Sequence, residues 1–408
     1  MSNRFGILLY RWHAWVGLLS GIFLIFICVT GSVAVFRPEI ERATNWGGFD
    51  FKVAAPAPGQ QRITIEQAVA TAEAAFPESR ATSAKYPARG SSTLSHGPTY
   101  SVSLQRPGAR GLQVLVDPYS NQVLTSMSPS AGWGDFVRQL HVRFYAGSFW
   151  GRYIVGLFGL TLLFSTVSGM MIFTRFNANR WKPKLRRGRG TRILTADLHK
   201  IVGLGSVAFN IIFGITGAVI GLEGVYYKYI AVKERPPRYT AVEQIAAGDI
   251  ENCVAQAKLL IPTGEPVSVG LNYRKSGVIK VDVVHWDTRL IRENASHVVF
   301  NAGTLKPLEV YDANQASIGA RLYYAMEPLH FGRLGGALWV KLLWGVMGLT
   351  GGFLSITGFM IYVLRKRSAR RMKATTRATD AFEIPVPEPV TLLAHAHTKR
   401  ENMTYTDS

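Results

Sequence analysis

Cysteine is nearly absent. The 408 residues hold only Cys28 and Cys253, which excludes a disulfide-stapled scaffold. Charge is scarce as well, at 18% of residues against about 25% in ordinary soluble proteins. Acids are the rarer sign, 26 against 46 Lys and Arg, for a formal charge of +20. No GxxxxGK[ST] phosphate loop, no convincing GxGxxG after a strand, no catalytic triad and no HxxxH-type zinc cluster can be found. What is abundant is apolar surface: hydrophobic residues reach 48%, which excludes disorder for most of the chain. An apolar, charge-poor, basic chain points to a membrane protein with cationic loops and needs no nucleic-acid partner.

Four runs carry no Asp, Glu, Lys or Arg: 12–36, 153–174, 201–222 and 342–364. Each has the roughly 20 residues that a helix needs to cross the hydrocarbon, where only a helix satisfies its own backbone. Basic residues set the orientation. The connection 175–200 has nine Lys and Arg against the single Asp197, whereas 37–150 has eleven basic residues against eight acids and 223–336 has thirteen against twelve. The positive-inside rule then puts both termini and the short loop in the cytoplasm and the two long segments outside. The first run is read as a retained span, since its apolar core is too long for a signal peptide and no small-x-small cleavage site follows. Arg186-Arg187-Gly188-Arg189 reads as an anchor facing anionic lipid.

The expected organisation is therefore as follows. Residues 1–36 are N-terminus and first span, 37–150 a first outer domain, 151–174 the second span and 175–200 a basic loop. The third span is 201–222, a second outer domain is 223–336, the fourth span is 337–364, and 365–408 is a basic, disordered tail. Each outer segment reads as one helix (63–76; 240–260) followed by alternating strands, giving two small α+β domains.

The two halves repeat. Counted from His13 and His199, Gly17 matches Gly203, Ser20 matches Ser206 and Thr30-Gly31 matches Thr216-Gly217. Counted from His141 and His330, Trp150 matches Trp339, Arg152 matches Lys341, Gly156 matches Gly345 and Ser168-Gly169 matches Thr357-Gly358. Two ungapped series anchored on histidines indicate a tandem duplication, with one histidine per half at each membrane face.

Ionisable groups in membrane helices usually mark functional sites. Two histidines per face is the number needed to ligate one haem iron from both sides, and the lack of CxxCH makes such a haem non-covalent, b-type. The expected iron ligands are His13 with His199 at the cytoplasmic face and His141 with His330 at the outer face. Gly17 and Gly203, one turn from His13 and His199, leave room for a flat macrocycle; Gly31, Gly217, Gly169 and Gly358 are read as serving the same end. His96, His285 and His297, in the outer segments, are expected to be solvent-exposed, and His395 and His397 lie in the polar tail. Trp133, Tyr145, Trp150, Tyr323 and Tyr324 read first as an interfacial aromatic belt and second as the lining of a substrate dock. Gly147 and Gly151 are expected to interrupt the helix that follows His141.

The His-x3-Gly-Leu…Thr-Gly pattern of each ascending span, the Leu-His before each descending span and the stretch VDPYSNQVL resemble the PepSY-associated transmembrane proteins. The resemblance runs over roughly residues 5–367. It implies a mainly α membrane protein, a four-helix transmembrane bundle with two PepSY-like periplasmic domains, in the bacterial inner membrane. It also implies electron transfer through two haems b to a ferric siderophore in the periplasm, with quinol or a cytoplasmic flavoprotein as donor and His13, His199, His141 and His330 as ligands. Two alternatives stay open: a non-enzymatic PepSY peptide-binding or protease-regulating protein, and an electron conduit to another periplasmic acceptor.

Overall fold

A computed structural model describes residues 3–44, 53, 56–87, 98–108, 111–128, 133–147, 150–176, 183–225, 239–286, 290–334 and 338–382. Two compact units divide it, Met1–Ile361 and the remainder from Tyr362. The expected disordered tail lies mostly outside the described residues: the last helix runs to Phe382, and nothing is described beyond it.

Four helices are long and apolar enough to cross a membrane. They are α1 (Asn3–Val35), α5 (Trp150–Phe176), α7 (Val207–Val225) and α11 (Leu338–Phe382). Short α2 (Arg37–Thr44) follows the first, and α4 (Trp133–Arg143) precedes α5. The helix α6 (Thr191–Gly205) runs into α7 with only a kink at Ser206. There Ser206 N–H and Oγ both bond Val202 O, at 2.9 and 2.8 Å, and Asn210 N–H bonds Ser206 O at 2.9 Å. The third apolar run thus begins inside α6. The helix α10 (Ile318–Phe331) precedes α11 and ends on Gly332 at φ 65°.

Small residues let the long helices pack closely, backbone to backbone between α5 and α7 and backbone against side chain between α11 and the α1 segment. Along α5 and α7, a Cβ at Gly221 would lie 2.5 Å from Gly156 Cα, and one at Gly159 would lie 2.6 Å from Ala218 N. Along α1 and α11, a Cβ at Gly345 would meet Phe36 at 2.7 Å, at Gly348 Ser32 at 2.6 Å, and at Gly351 Cys28 at 2.8 Å. Van der Waals fit of this kind drives association where lipid removes the hydrophobic incentive. Gly156 and Gly159 in the first half and Gly345 and Gly348 in the second all lie at helix contacts, the first pair against backbone and the second against side chains.

The expected interruption after His141 is present. Phe144, Tyr145 and Gly147 take φ of 46°, 56° and 78°, ending α4 and turning the chain into α5. Gly151 is required by proximity: a Cβ there would sit 2.2 Å from Arg143 O.

The two long connecting segments differ from the expectation of separate domains. Their helices are α3 (Ile65–Ala75) and α8 (Asp249–Leu260), with a single turn α9 (Tyr273–Ser276). Their strands are β1 (Arg80–Lys85), β2 (Tyr100–Gln105), β3 (Leu112–Val116), β4 (Val123–Met127), β5 (Glu265–Leu271), β6 (Val278–Val284), β7 (Ser296–Asn301) and β8 (Pro307–Tyr311). All eight form one antiparallel sheet in the order β4-β3-β2-β1-β5-β6-β7-β8. The join is β1 against β5, with Ala84 opposite Val269. Pairing removes one exposed edge from each half. A single core runs across the join: Ala68, Ala72, Val102 and Val114 from the first segment cluster with Cys253, Ala257, Val281 and Phe300 from the second, all fully buried.

The helices are tied to each other as well. Glu66 accepts the N–H of Gly248 at 2.6 Å and of Glu251 at 3.3 Å, while Glu251 accepts the N–H of Glu66 at 3.2 Å. Each carboxylate thereby caps the other helix's positive N-terminus. The stretch VDPYSNQVL forms a turn in which Asp117 Oδ1 accepts from Tyr119 and Ser120 N–H and Asn121 sits at φ 58°. NAGTLKPLEV builds the same turn, with Asn301 Oδ1 accepting from Gly303 and Thr304 N–H and Leu305 at φ 53°. Leucine is an uncommon residue in that left-handed conformation, so the second turn is hard to read from the sequence.

Candidate functional site

The four histidines anchored by the repeat are each held in the same way. At the sheet-side end of the bundle, His330, in the last turn of α10, donates from Nδ1 to Thr216 Oγ1 of α7 at 2.8 Å. His141, in the last turn of α4, donates from Nδ1 to the Ile27 carbonyl of α1 at 3.0 Å, with Thr30 Oγ1 at 3.4 Å. At the opposite end, His13 of α1 pairs Nδ1 with Ser168 Oγ of α5 at 2.9 Å, and His199 of α6 pairs Nδ1 with Thr357 Oγ1 of α11 at 2.8 Å.

Those hydroxyls fix the tautomer. A Ser or Thr hydroxyl has one proton, and these donate it to their own helix: Thr216 to Ile212 O at 2.6 Å, Thr357 to Phe353 O at 2.9 Å, Thr30 to Phe26 O at 2.6 Å and Ser168 to Ser165 O at 3.3 Å. The hydroxyl can then only accept from the imidazole, so Nδ1 carries the hydrogen and Nε2 carries a lone pair. Among the described residues no hydrogen-bond partner is recorded for any of the four Nε2 atoms. An imidazole oriented through Nδ1 with a bare Nε2 is the form that ligates metals.

A glycine follows each hydroxyl residue and makes room for the ring. A Cβ at Gly31 would lie 2.6 Å from His141 Cε1, at Gly169 3.1 Å from His13 Cε1, at Gly217 3.4 Å from His330 Cε1 and at Gly358 3.6 Å from His199 Cε1. These four glycines, read as seats for a macrocycle, lie against the imidazoles: Gly31 and Gly169 leave space a Cβ would take from the ring, whereas at Gly217 and Gly358 a Cβ would make ordinary contact. Gly17 has nothing within 4 Å of a Cβ position and faces open space one turn from His13, whereas a Cβ at Gly203 would make ordinary contact with Leu354 at 3.6 Å.

The sheet-side rings face each other, with centroids 6.1 Å apart and planes inclined at 36°. Two imidazoles bound to opposite sides of one metal ion reach that spacing: about 2 Å for each metal–nitrogen bond plus about 1 Å from nitrogen to ring centre gives about 6 Å. Both rings line a cavity of about 430 Å³ walled by apolar groups of α1, α5, α7 and α11, among them Leu24, Phe158, Phe213 and Trp344. Its size and lining suit a cofactor-sized ligand. At the other end, His13 and His199 lie within electrostatic reach of each other.

The remaining expectations divide. Tyr323 lines the cavity, donating its hydroxyl to Glu223, and Tyr324 packs edge-on against it at 5.5 Å. Trp150 and Tyr145 are exposed, whereas Trp133 has a buried indole nitrogen. His285, expected in solvent, is buried, with Nε2 3.1 Å from Asp312 Oδ1. The reason is its position at the end of β6 under the turn that carries Asp312. His297 also leaves the solvent, stacking on Tyr311 at 5.5 Å with Nε2 3.4 Å from Glu309. His96, His395 and His397 lie outside the described residues. Arg186, read as a lipid anchor, is spent on Asp197, donating from its backbone N–H and Nε to Oδ2 at 3.1 and 3.0 Å and from Nη2 to Oδ1 at 2.8 Å. These bonds hold the Asp197 carboxyl below its ordinary range and brace the start of α6, two residues before His199.

The hydroxyl residues Thr30, Ser168, Thr216 and Thr357 were missed as functional positions. Their signal was in the repeat: each is the first member of a Ser/Thr-Gly dipeptide that recurs at the same offset in the other half.

Four apolar helices of spanning length, joined to one antiparallel sheet, define a polytopic membrane protein. Residues 10–365 match the PepSY-associated TM region, and the chain belongs to that family. It is also 26% identical over 275 residues to an uncharacterized protein of Pseudomonas aeruginosa, covering 61% of this chain and 68% of that one.

Proposed function

We propose that the protein is a b-type haem electron carrier of the bacterial inner membrane that reduces ferric siderophore in the periplasm and so releases iron. The observation that carries this reading is the 6.1 Å separation of the His141 and His330 rings inside an apolar cavity, with a lone pair fixed at each Nε2. The same hydroxyl–imidazole arrangement at His13 and His199 supports a second site. In this reading the chain is a tandem duplication, both termini are cytoplasmic, and the shared sheet is a fused pair of PepSY-like periplasmic units. The repeated glycine contacts and the matching turns at Asp117 and Asn301 support the duplication.

Iron porphyrin bound at each pair would supply a one-electron carrier whose potential follows from its axial ligands and their hydrogen bonds. The chain's own residues do the rest. The hydroxyls of Ser168, Thr357, Thr30 and Thr216 orient the imidazoles, and open space at Gly17 admits a flat ligand beside the helix. The apolar wall keeps water from the sheet-side pair. A quinol or flavoprotein donor gives up its electrons at the cytoplasmic side, and each Fe(III) takes one to become Fe(II). Hard oxygen chelators hold Fe(II) less well, which frees the metal.

A reduced-minus-oxidised spectrum with a pyridine haemochrome titration tests the reading. The expected result is two non-covalent haems per chain and reoxidation of the dithionite-reduced protein by ferric siderophore. A colourless protein would leave the peptide-binding alternative standing; haem without reoxidation would point to a different acceptor.

Thr216→Val removes the acceptor of the His330 Nδ1–H while keeping side-chain shape. Loss of such a supporting bond typically costs about 10- to 100-fold in metal affinity. The variant is therefore expected to lose the sheet-side haem on dilution and to shift its midpoint potential, whereas Thr216→Ser is expected to restore both.

A further inference from the structure

The cavity that holds His141 and His330 is apolar along its walls but is also lined by three arginines, Arg138, Arg152 and Arg292. Their surroundings separate them. Arg138 is neutralised, donating from Nε and Nη2 to the buried Asp135 at 3.0 and 2.6 Å. The two acids that line the cavity are engaged too: Glu223 accepts the Tyr323 hydroxyl and Glu327 pairs with Arg333 at 3.0 Å. Arg292 has its guanidinium over the rings of Tyr324 and Tyr323, at 5.1 and 5.7 Å, with Nε buried and unbonded. Arg152 stands in the first turn of α5, and among the described residues no acid pairs with it or with Arg292. Its counterpart in the second half shows the contrast, because Lys341 is buried and paired with Glu39.

A guanidinium partly removed from water with an unused N–H is costly unless an anion meets it. Arginine at such a place is suited to carboxylates, which it binds through paired donors. An apolar cavity with paired imidazoles in its wall and unspent arginines in its lining matches a flat, apolar ligand with an anionic edge. From this we infer that Arg292, with Arg152, binds the carboxylates of the tetrapyrrole whose centre lies between His141 and His330. The inference rests on the haem reading and adds the recognition of the ring's acidic edge. It also fixes which way the ring enters, because only one edge of it is charged.

The test uses the apoprotein in lipid nanodiscs, carrying His13→Ala and His199→Ala so that only the sheet-side pair is available. It is titrated with iron protoporphyrin IX and, separately, with its dimethyl ester, which keeps ring and iron but removes both charges. The free acid is expected to bind at least tenfold more tightly. In Arg292→Gln that preference is expected to fall to about twofold while the low-spin bis-imidazole spectrum persists, and Arg152→Gln is expected to lower it by a smaller factor. Equal binding of acid and ester, or a preference unchanged in both arginine variants, overturns the seat while leaving the histidine site intact. Failure of both porphyrins to bind overturns both readings. The acid–ester comparison on the unaltered arginines keeps the inference falsifiable if Arg292→Gln does not fold.

Discussion

With alanine at position 330, the protein is expected to lose its sheet-side haem and keep the other, so that haem per chain falls from two to one. His330 is one of two rings at ligand spacing, and Ala leaves His141 facing an empty side of the cavity. Removing a supporting hydrogen bond already costs about 10- to 100-fold in metal affinity; removing the ligand itself should cost more. His141→Ala should give the same loss, and His13→Ala or His199→Ala the complementary one. A structural role alone would not sort the four variants into two pairs by membrane face. The measurement is haem stoichiometry after gel filtration, with low-temperature spectra to tell the two haems apart. Full haem in both His13→Ala and His330→Ala would sink the ligand assignment.

The second large effect separates glycines that pack from glycines that leave room. Gly221→Leu drives a side chain into α5, where even a Cβ would stand 2.5 Å from Gly156 Cα. Backbone cannot move aside as a flexible side chain can, so the helices must separate. Overpacking costs about 1–3 kcal/mol, and the contact lies in the bundle that both histidine sites share. Gly221→Leu is expected to lower the thermal midpoint in detergent and to deplete both haems together. Gly17→Leu is expected to leave the midpoint within a degree or two yet reduce haem beside His13, because nothing lies within 4 Å of a Cβ there. If Gly17→Leu keeps full haem, the open space beside His13 does not admit the ligand.

Much of this molecule could be read from the chain because the relevant physics is local. A span of about 20 uncharged residues must be helical in lipid wherever it ends up. Four such runs therefore located the apolar stretches of α1, α5, α7 and α11, though α1 starts earlier and α11 runs on to Phe382, and the tally of Lys and Arg around them gave an expected orientation. The repeat marked four histidines at matching positions in the two halves, in or shortly before the spans. The left-handed turn at Asn121 was legible as VDPYSNQVL, and its twin at Leu305 was disguised by a residue that rarely takes that conformation.

Other features depend on which distant segments meet, and no local pattern encodes that. The two α+β segments each read as one helix followed by alternating strands, which is sufficient for two domains. Only the pairing of Ala84 with Val269 and the exchange of caps between Glu66 and Glu251 made them one sheet with one core. The Ser/Thr-Gly dipeptides were visible, yet their task was not, because Ser168 lies 155 residues from His13 and Thr216 lies 114 from His330. Local sequence determined the helices and the candidate ligands, since hydrogen bonding in lipid acts residue by residue. The folded bundle alone decided which hydroxyl holds which ring, which glycines yield space to an imidazole and which arginines remain unspent, since those depend on side chains brought together by helix packing.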